Sequence, residues 1–80
     1  MKCSILHESN GRIRVHLHCG RMSPHQADVL EYYLKNEQDV LDVTVYDRTQ
    51  DAVIRYGKDR AAVVSALDRF SFAKAESMDL

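Results

Sequence analysis

From Gly11 to Cys19 the chain alternates without a break. Ile13, Val15, Leu17 and Cys19 fall on one face of an extended segment, and Arg12, Arg14, His16 and His18 fall on the other. A period of two over that length specifies a half-buried β-strand, with one face toward a core and one toward water. The histidines (His7, His16, His18, His25), the cysteines (Cys3, Cys19) and Met22 all lie at or before position 25. The side chains able to do chemistry are therefore gathered on or beside this one strand.

Composition narrows the reading. A chain of 80 residues is one domain, with a core spanning about residues 5 to 70. At that size it buries only about 60% of its unfolded surface, so the core is small. A net charge of −1 argues against a general nucleic-acid binder, which needs a basic surplus. Arg12, Arg14 and Arg21 can still form a local basic strip. The two cysteines do not make the disulfide framework of a small secreted scaffold. The start of the chain carries no signal-peptide-like apolar run, and no stretch reaches the ~18 apolar residues of a membrane span. The expectation is a cytoplasmic, reducing location with no direct membrane insertion.

Taken in order, residues 3 to 8 read either as a strand or as an extension of the alternating one, bent at Ser9-Asn10-Gly11. Ser23-Pro24-His25-Gln26 opens a helix. Ser23 is a cap, Pro24 suits the first helical position and Gln26 completes a capping box. Ala27, Leu30, Tyr33 and Leu34 then recur at helical spacing to about Lys35. Val40 to Tyr46 is rich in β-branched residues and reads as a strand, with Val43 and Val45 inward. Residues 47 to 51 form a short connection into an antiparallel strand from Ala52 to Tyr56, which Gly57 breaks. Lys58 to Phe70 is a second helix, with Val63, Ala66, Leu67 and Phe70 on one side. Residues 71 to 77 read as a fourth strand. The order is βαββαβ, and the fold expected is an α+β ferredoxin-like sandwich: an antiparallel sheet with two helices on one face. Its outer face shows Arg12, Arg14, His16 and His18 beside Val53 and Arg55.

These residues resemble the heavy-metal-associated domains of metal-transporting P-type ATPases and small metallochaperones. The likeness is closer to a divergent bacterial branch that begins on a Gly-Arg-Ile-Arg strand, here Gly11-Arg12-Ile13-Arg14. A Val-x-x-Val-x-Val strand follows, here Val40 to Val45, with a hairpin into a strand ending in Tyr, here Ala52 to Tyr56. The resemblance implies a regulatory or metal-receiving domain, on the cytosolic face of a membrane, at the N-terminus of a cation-transporting ATPase. This chain would not itself be an enzyme, since it lacks the phosphorylated-aspartate motif of such a transporter. Its implied partners are a transition metal, the transporter's catalytic domains, or a metallochaperone. The chain departs from the family where members carry CxxC: it has none.

In the equivalent loop stand His18, Cys19, Met22 and His25. Cys19 and Met22 share the spacing of the missing pair, as do Met22 and His25. Soft sulfur donors with imidazole suit Cu(I), or Zn(II) with water completing the shell. The other reading of the same residues is structural. Cys19 then ends the buried face of the strand and Met22 packs at the helix entry, with no metal held. His16 and His18, two apart on one strand face, can chelate a metal or simply be solvated. Arg12, Arg14 and Arg55 form a cationic patch suited to docking on an acidic partner surface. A free-standing regulatory or oligomerisation module without metal, able to pair as a homodimer, is the alternative from another class. RNA binding is disfavoured because the central strands lack aromatic stacking platforms.

Overall fold

The computed structural model describes residues 2–72. Its elements are β1 (Cys3–Ser9), β2 (Arg12–Leu17), α1 (Pro24–Lys35), β3 (Val40–Tyr46), β4 (Asp51–Tyr56) and α2 (Arg60–Arg69). The strands form one antiparallel sheet in the order β1-β2-β4-β3, so β2 and β4 are central. This is an α+β architecture compatible with a ferredoxin-like sandwich.

The source of the fourth strand differs from the expected βαββαβ order. The edge beside β2 is filled by β1, which precedes it, giving ββαββα among the described residues. Ser9-Asn10-Gly11 is therefore a hairpin turn and not a bend within one long strand. Gly11 is required there for two reasons. Its φ is +79°, and a Cβ would stand 3.2 Å from the Tyr56 carbonyl oxygen. The closeness has a purpose, since the Tyr56 amide donates to the Gly11 carbonyl at 2.9 Å and stitches the turn to β4. In the segment expected as a last strand, Ser71 and Phe72 are not strand residues, and 73 to 77 lie outside the described residues.

The core forms where the alternating faces meet the helices. Ile13, Val15 and Leu17 of β2 and Ala52 and Ile54 of β4 are almost wholly buried, packed with Leu30 and Leu34 of α1 and Val63, Ala66 and Leu67 of α2. Burying each such side chain is worth about 1.5–3 kcal/mol. One face of the sheet is thereby covered by helices, and the other stays open. Both edge strands carry an irregularity, between Ile5 and His7 and between Val40 and Asp42. Such bulges twist an edge away from unwanted pairing.

Local signals fix the helix starts. The Gln26 amide donates to Ser23 Oγ at 3.1 Å and the Ser23 amide to Gln26 Oε1 at 3.0 Å, the capping box expected. Asp59 caps α2 through the Ala62 amide at 3.0 Å. Asp39, with φ +75°, ties the two loops at that end together. Its Oδ2 accepts from the Lys58 and Asp59 amides, each at 2.6 Å, which holds its carboxyl below the usual carboxylate range. Glu8 of β1 pairs with Arg60 of α2 and anchors the edge strand to the helix layer.

Candidate functional site

The open face of the sheet is built by strand register, in three rows. Directly opposed residues in antiparallel strands point to the same side, with Cβ atoms about 4.5–5.5 Å apart. The first row is Ser4, His16, Asp51 and Tyr46; the second is His7, Arg14, Val53 and Thr44; the third is Ser9, Arg12, Arg55 and Asp42. Of the outward residues expected on the central strands, Arg12, Arg14, His16, Val53 and Arg55 therefore all fall in these rows.

The first two rows are knitted together by Asp51. Its side chain is only 9% exposed, and it accepts from Arg14 Nη2 at 3.1 Å and from His16 Nδ1 at 2.9 Å. An ionised carboxylate only accepts, so the His16 proton sits on Nδ1. These two bonds, that from His16 the larger influence, hold the Asp51 carboxyl below its ordinary range despite burial. Arg14 also lies over the Tyr46 ring, 5.7 Å from its centroid. The His16 and His18 rings meet edge to face at 5.4 Å, and His18 Nε2 is 2.6 Å from Ser4 Oγ. Asp51 is the organising residue that sequence reasoning missed, since it was assigned to the β3–β4 connection. Only the register, which sets it opposite His16, reveals it.

The third row is different. Among the described residues, neither Arg12 nor Arg55 has an ion-pair or hydrogen-bonding side-chain partner. Of the patch Arg12, Arg14 and Arg55, the structure puts all three on one face but neutralises Arg14 internally. The free positive charge is thus concentrated at the β1–β2 turn end of the sheet.

The residues considered for a metal fall in different surroundings. His18 lies on the open face, bonded to Ser4, whereas Cys19 packs against the core on the helical side. Met22 is 4% exposed and belongs to the core cluster, as its structural reading holds. His25 is exposed in the first turn of α1. Burial pushes the Cys19 thiol up, away from the thiolate a soft metal requires, and its Sγ points at the Gly20 carbonyl at 3.6 Å. Among the described residues, no three histidine, cysteine or carboxylate side chains come together as a ligand set. Among these residues no helix is long and apolar enough to cross a membrane.

Comparison with models of known protein families, with curated proteins and with solved structures returns no match.

Proposed function

We propose that this chain is a heavy-metal-associated-like regulatory domain that docks through the open face of its sheet on an acidic surface of a partner. The partner we assign is the catalytic portion of a metal-translocating P-type ATPase to which the domain belongs, placing it at the cytosolic side of the membrane. The observation that carries docking is the third row of the sheet. Two arginines, directly opposed and without an ion-pair partner among the described residues, stand on the face opposite the helix-packed core. Charge complementarity of this kind governs approach and orientation more than raw affinity. The transporter context rests on the resemblance of Gly11-Arg12-Ile13-Arg14, Val40 to Val45 and Ala52 to Tyr56.

The test is binding to an acidic probe, hexaglutamate, at low and physiological salt. Arg12→Ala and Arg55→Ala each weaken binding several-fold at low salt, and the loss shrinks as salt rises. Arg14→Ala affects binding less, because its charge is already met by Asp51. Binding indifferent to Arg12 and Arg55 defeats the proposal.

A metal-receiving role, from the same resemblance, requires the 18–25 loop to turn Cys19 and Met22 outward together. Anaerobic titration of the reduced domain with Cu(I) and Zn(II), alongside Cys19→Ser, separates the two roles. One tight equivalent lost in Cys19→Ser assigns metal reception from a transporter or metallochaperone; weak binding indifferent to Cys19 leaves docking alone. A second reading, a free-standing homodimer, is favoured by the β1 edge, where Ile5 is 46% and Leu6 54% exposed. Sedimentation across protein concentrations, with Leu6→Lys, decides it.

A further inference from the structure

The geometry points to a phosphate-binding site at the β1–β2 turn end of the open face, formed by Arg12 and Arg55 with Ser9 beside them. This inference rests on the docking reading and names the group that the row recognises.

Like charges placed directly opposite on an antiparallel pair destabilise a sheet. A neighbouring acid can offset a cation on such a face, as Asp51 one row away does for Arg14. Arg12 and Arg55 are register partners on the two central strands and have no such relief among the described residues. Asp42 is the partner of Arg55 on β3 but makes no ion pair with it, and β3 bulges between Val40 and Asp42. The arrangement is thus a standing repulsion that a bound anion would convert into attraction.

Two further observations select the anion. First, the arginines line a depression of about 450 Å³ at this end of the molecule, with Ser9 and the Asn10-Gly11 turn on one side and Leu41 on the other. That is room for a tetrahedral oxyanion and part of what bears it. Second, two guanidinium groups carry two charges on planar donor forks, which match the oxygens and the dianionic charge of a phosphate monoester better than one carboxylate. Cβ atoms about 5 Å apart let both forks reach one phosphorus-centred group. Ser9, opposite Arg12 on β1, adds a hydroxyl donor from the same row. Leu41, 68% exposed at the rim, offers apolar contact to the body of the ligand.

The test is titration of the ¹⁵N-labelled domain with inorganic phosphate, followed by amide shifts at constant ionic strength. Saturable shifts centred on Gly11, Arg12 and Arg55 are expected. Arg12→Gln and Arg55→Gln each weaken them roughly tenfold, while Arg14→Gln binds phosphate as the parent does. Acetate and chloride at matched ionic strength give no saturable shift. A phosphoserine peptide that binds at least as tightly as free phosphate assigns the group to a partner's side chain, whereas weaker peptide binding assigns it to a small molecule. No saturable shift with phosphate, or shifts of equal size with acetate, overturns the site. If phosphate fails while hexaglutamate still binds through Arg12 and Arg55, this inference falls and docking stands. Circular dichroism of each variant separates lost binding from lost fold.

Discussion

Asp51→Asn removes one charge from the place where the open face is tied together. In the native protein the carboxylate accepts from a guanidinium at 3.1 Å and an imidazole at 2.9 Å. Hydrogen bonds to charged groups are worth about 1.5–3 kcal/mol when shielded. The Arg14 and His16 side chains are 44% and 38% exposed, so water screens both bonds. A net loss of about 1–2 kcal/mol follows, which lowers the melting temperature of a domain this size by about 4–16 °C. The sign with pH is fixed by the direction of the Asp51 shift. A carboxyl held below its ordinary range stabilises fully at neutral pH, and that contribution disappears as pH falls through the folded-state value, below about pH 4. Thermal melts followed by circular dichroism at pH 7 and pH 2.5 read both effects. The native protein and Asp51→Asn differ at pH 7, and the gap between them narrows at pH 2.5. Asp39 makes both proteins acid-sensitive, so the gap between them is the quantity to follow, not either melt alone. Equal melts at pH 7, or an undiminished gap at pH 2.5, would refute the role given to Asp51.

Met22→Ala opens the core at the helix entry and costs about 2–4 kcal/mol in urea unfolding; a change under about 0.5 kcal/mol would place Met22 at the surface. Cys3 and Cys19 have thiols pushed up by burial, with the Asp68 charge adding to the effect at Cys3. Both therefore alkylate with iodoacetamide at pH 7.5 more slowly than a free cysteine; faster reaction at either would show an activated thiolate.

Much of the fold is legible in the residues because short-range physics fixes it. The Gly11–Cys19 alternation places Ile13, Val15 and Leu17 inward, and Ser23-Pro24-His25-Gln26 encodes its helix start within four positions. The edge strand was harder to read. Cys3 to Ser9 carries exposed Ile5 and Leu6, a weak pattern, and nothing local says whether the open edge of β2 is filled from before or after. That choice depends on Gly11 accepting a positive φ against Tyr56, a contact 45 positions away in sequence. The candidate site was half legible for the same reason. Arg12, Arg14 and Arg55 could be assigned to one face by alternation, but Asp51 joins them only through cross-strand register. Without Asp51 the three arginines look equivalent; with it, Arg14 becomes structural, and Arg12 and Arg55 keep no ion-pair partner among the described residues. The CxxC-like spacing of Cys19, Met22 and His25 describes sequence distance alone. On the folded chain Met22 turns into the core while His25 stays exposed on the helix.

The most direct measurement is to map where an acidic probe touches the domain. Hexaglutamate is titrated into the ¹⁵N-labelled protein at low salt, and each backbone amide shift is followed. Shifts are expected to cluster on the third row, at Ser9, Arg12, Asp42 and Arg55, and to be abolished by Arg12→Glu with Arg55→Glu. Shifts centred instead on the 18–25 loop or on α2, or unchanged by reversing both charges, would contradict docking through the open face.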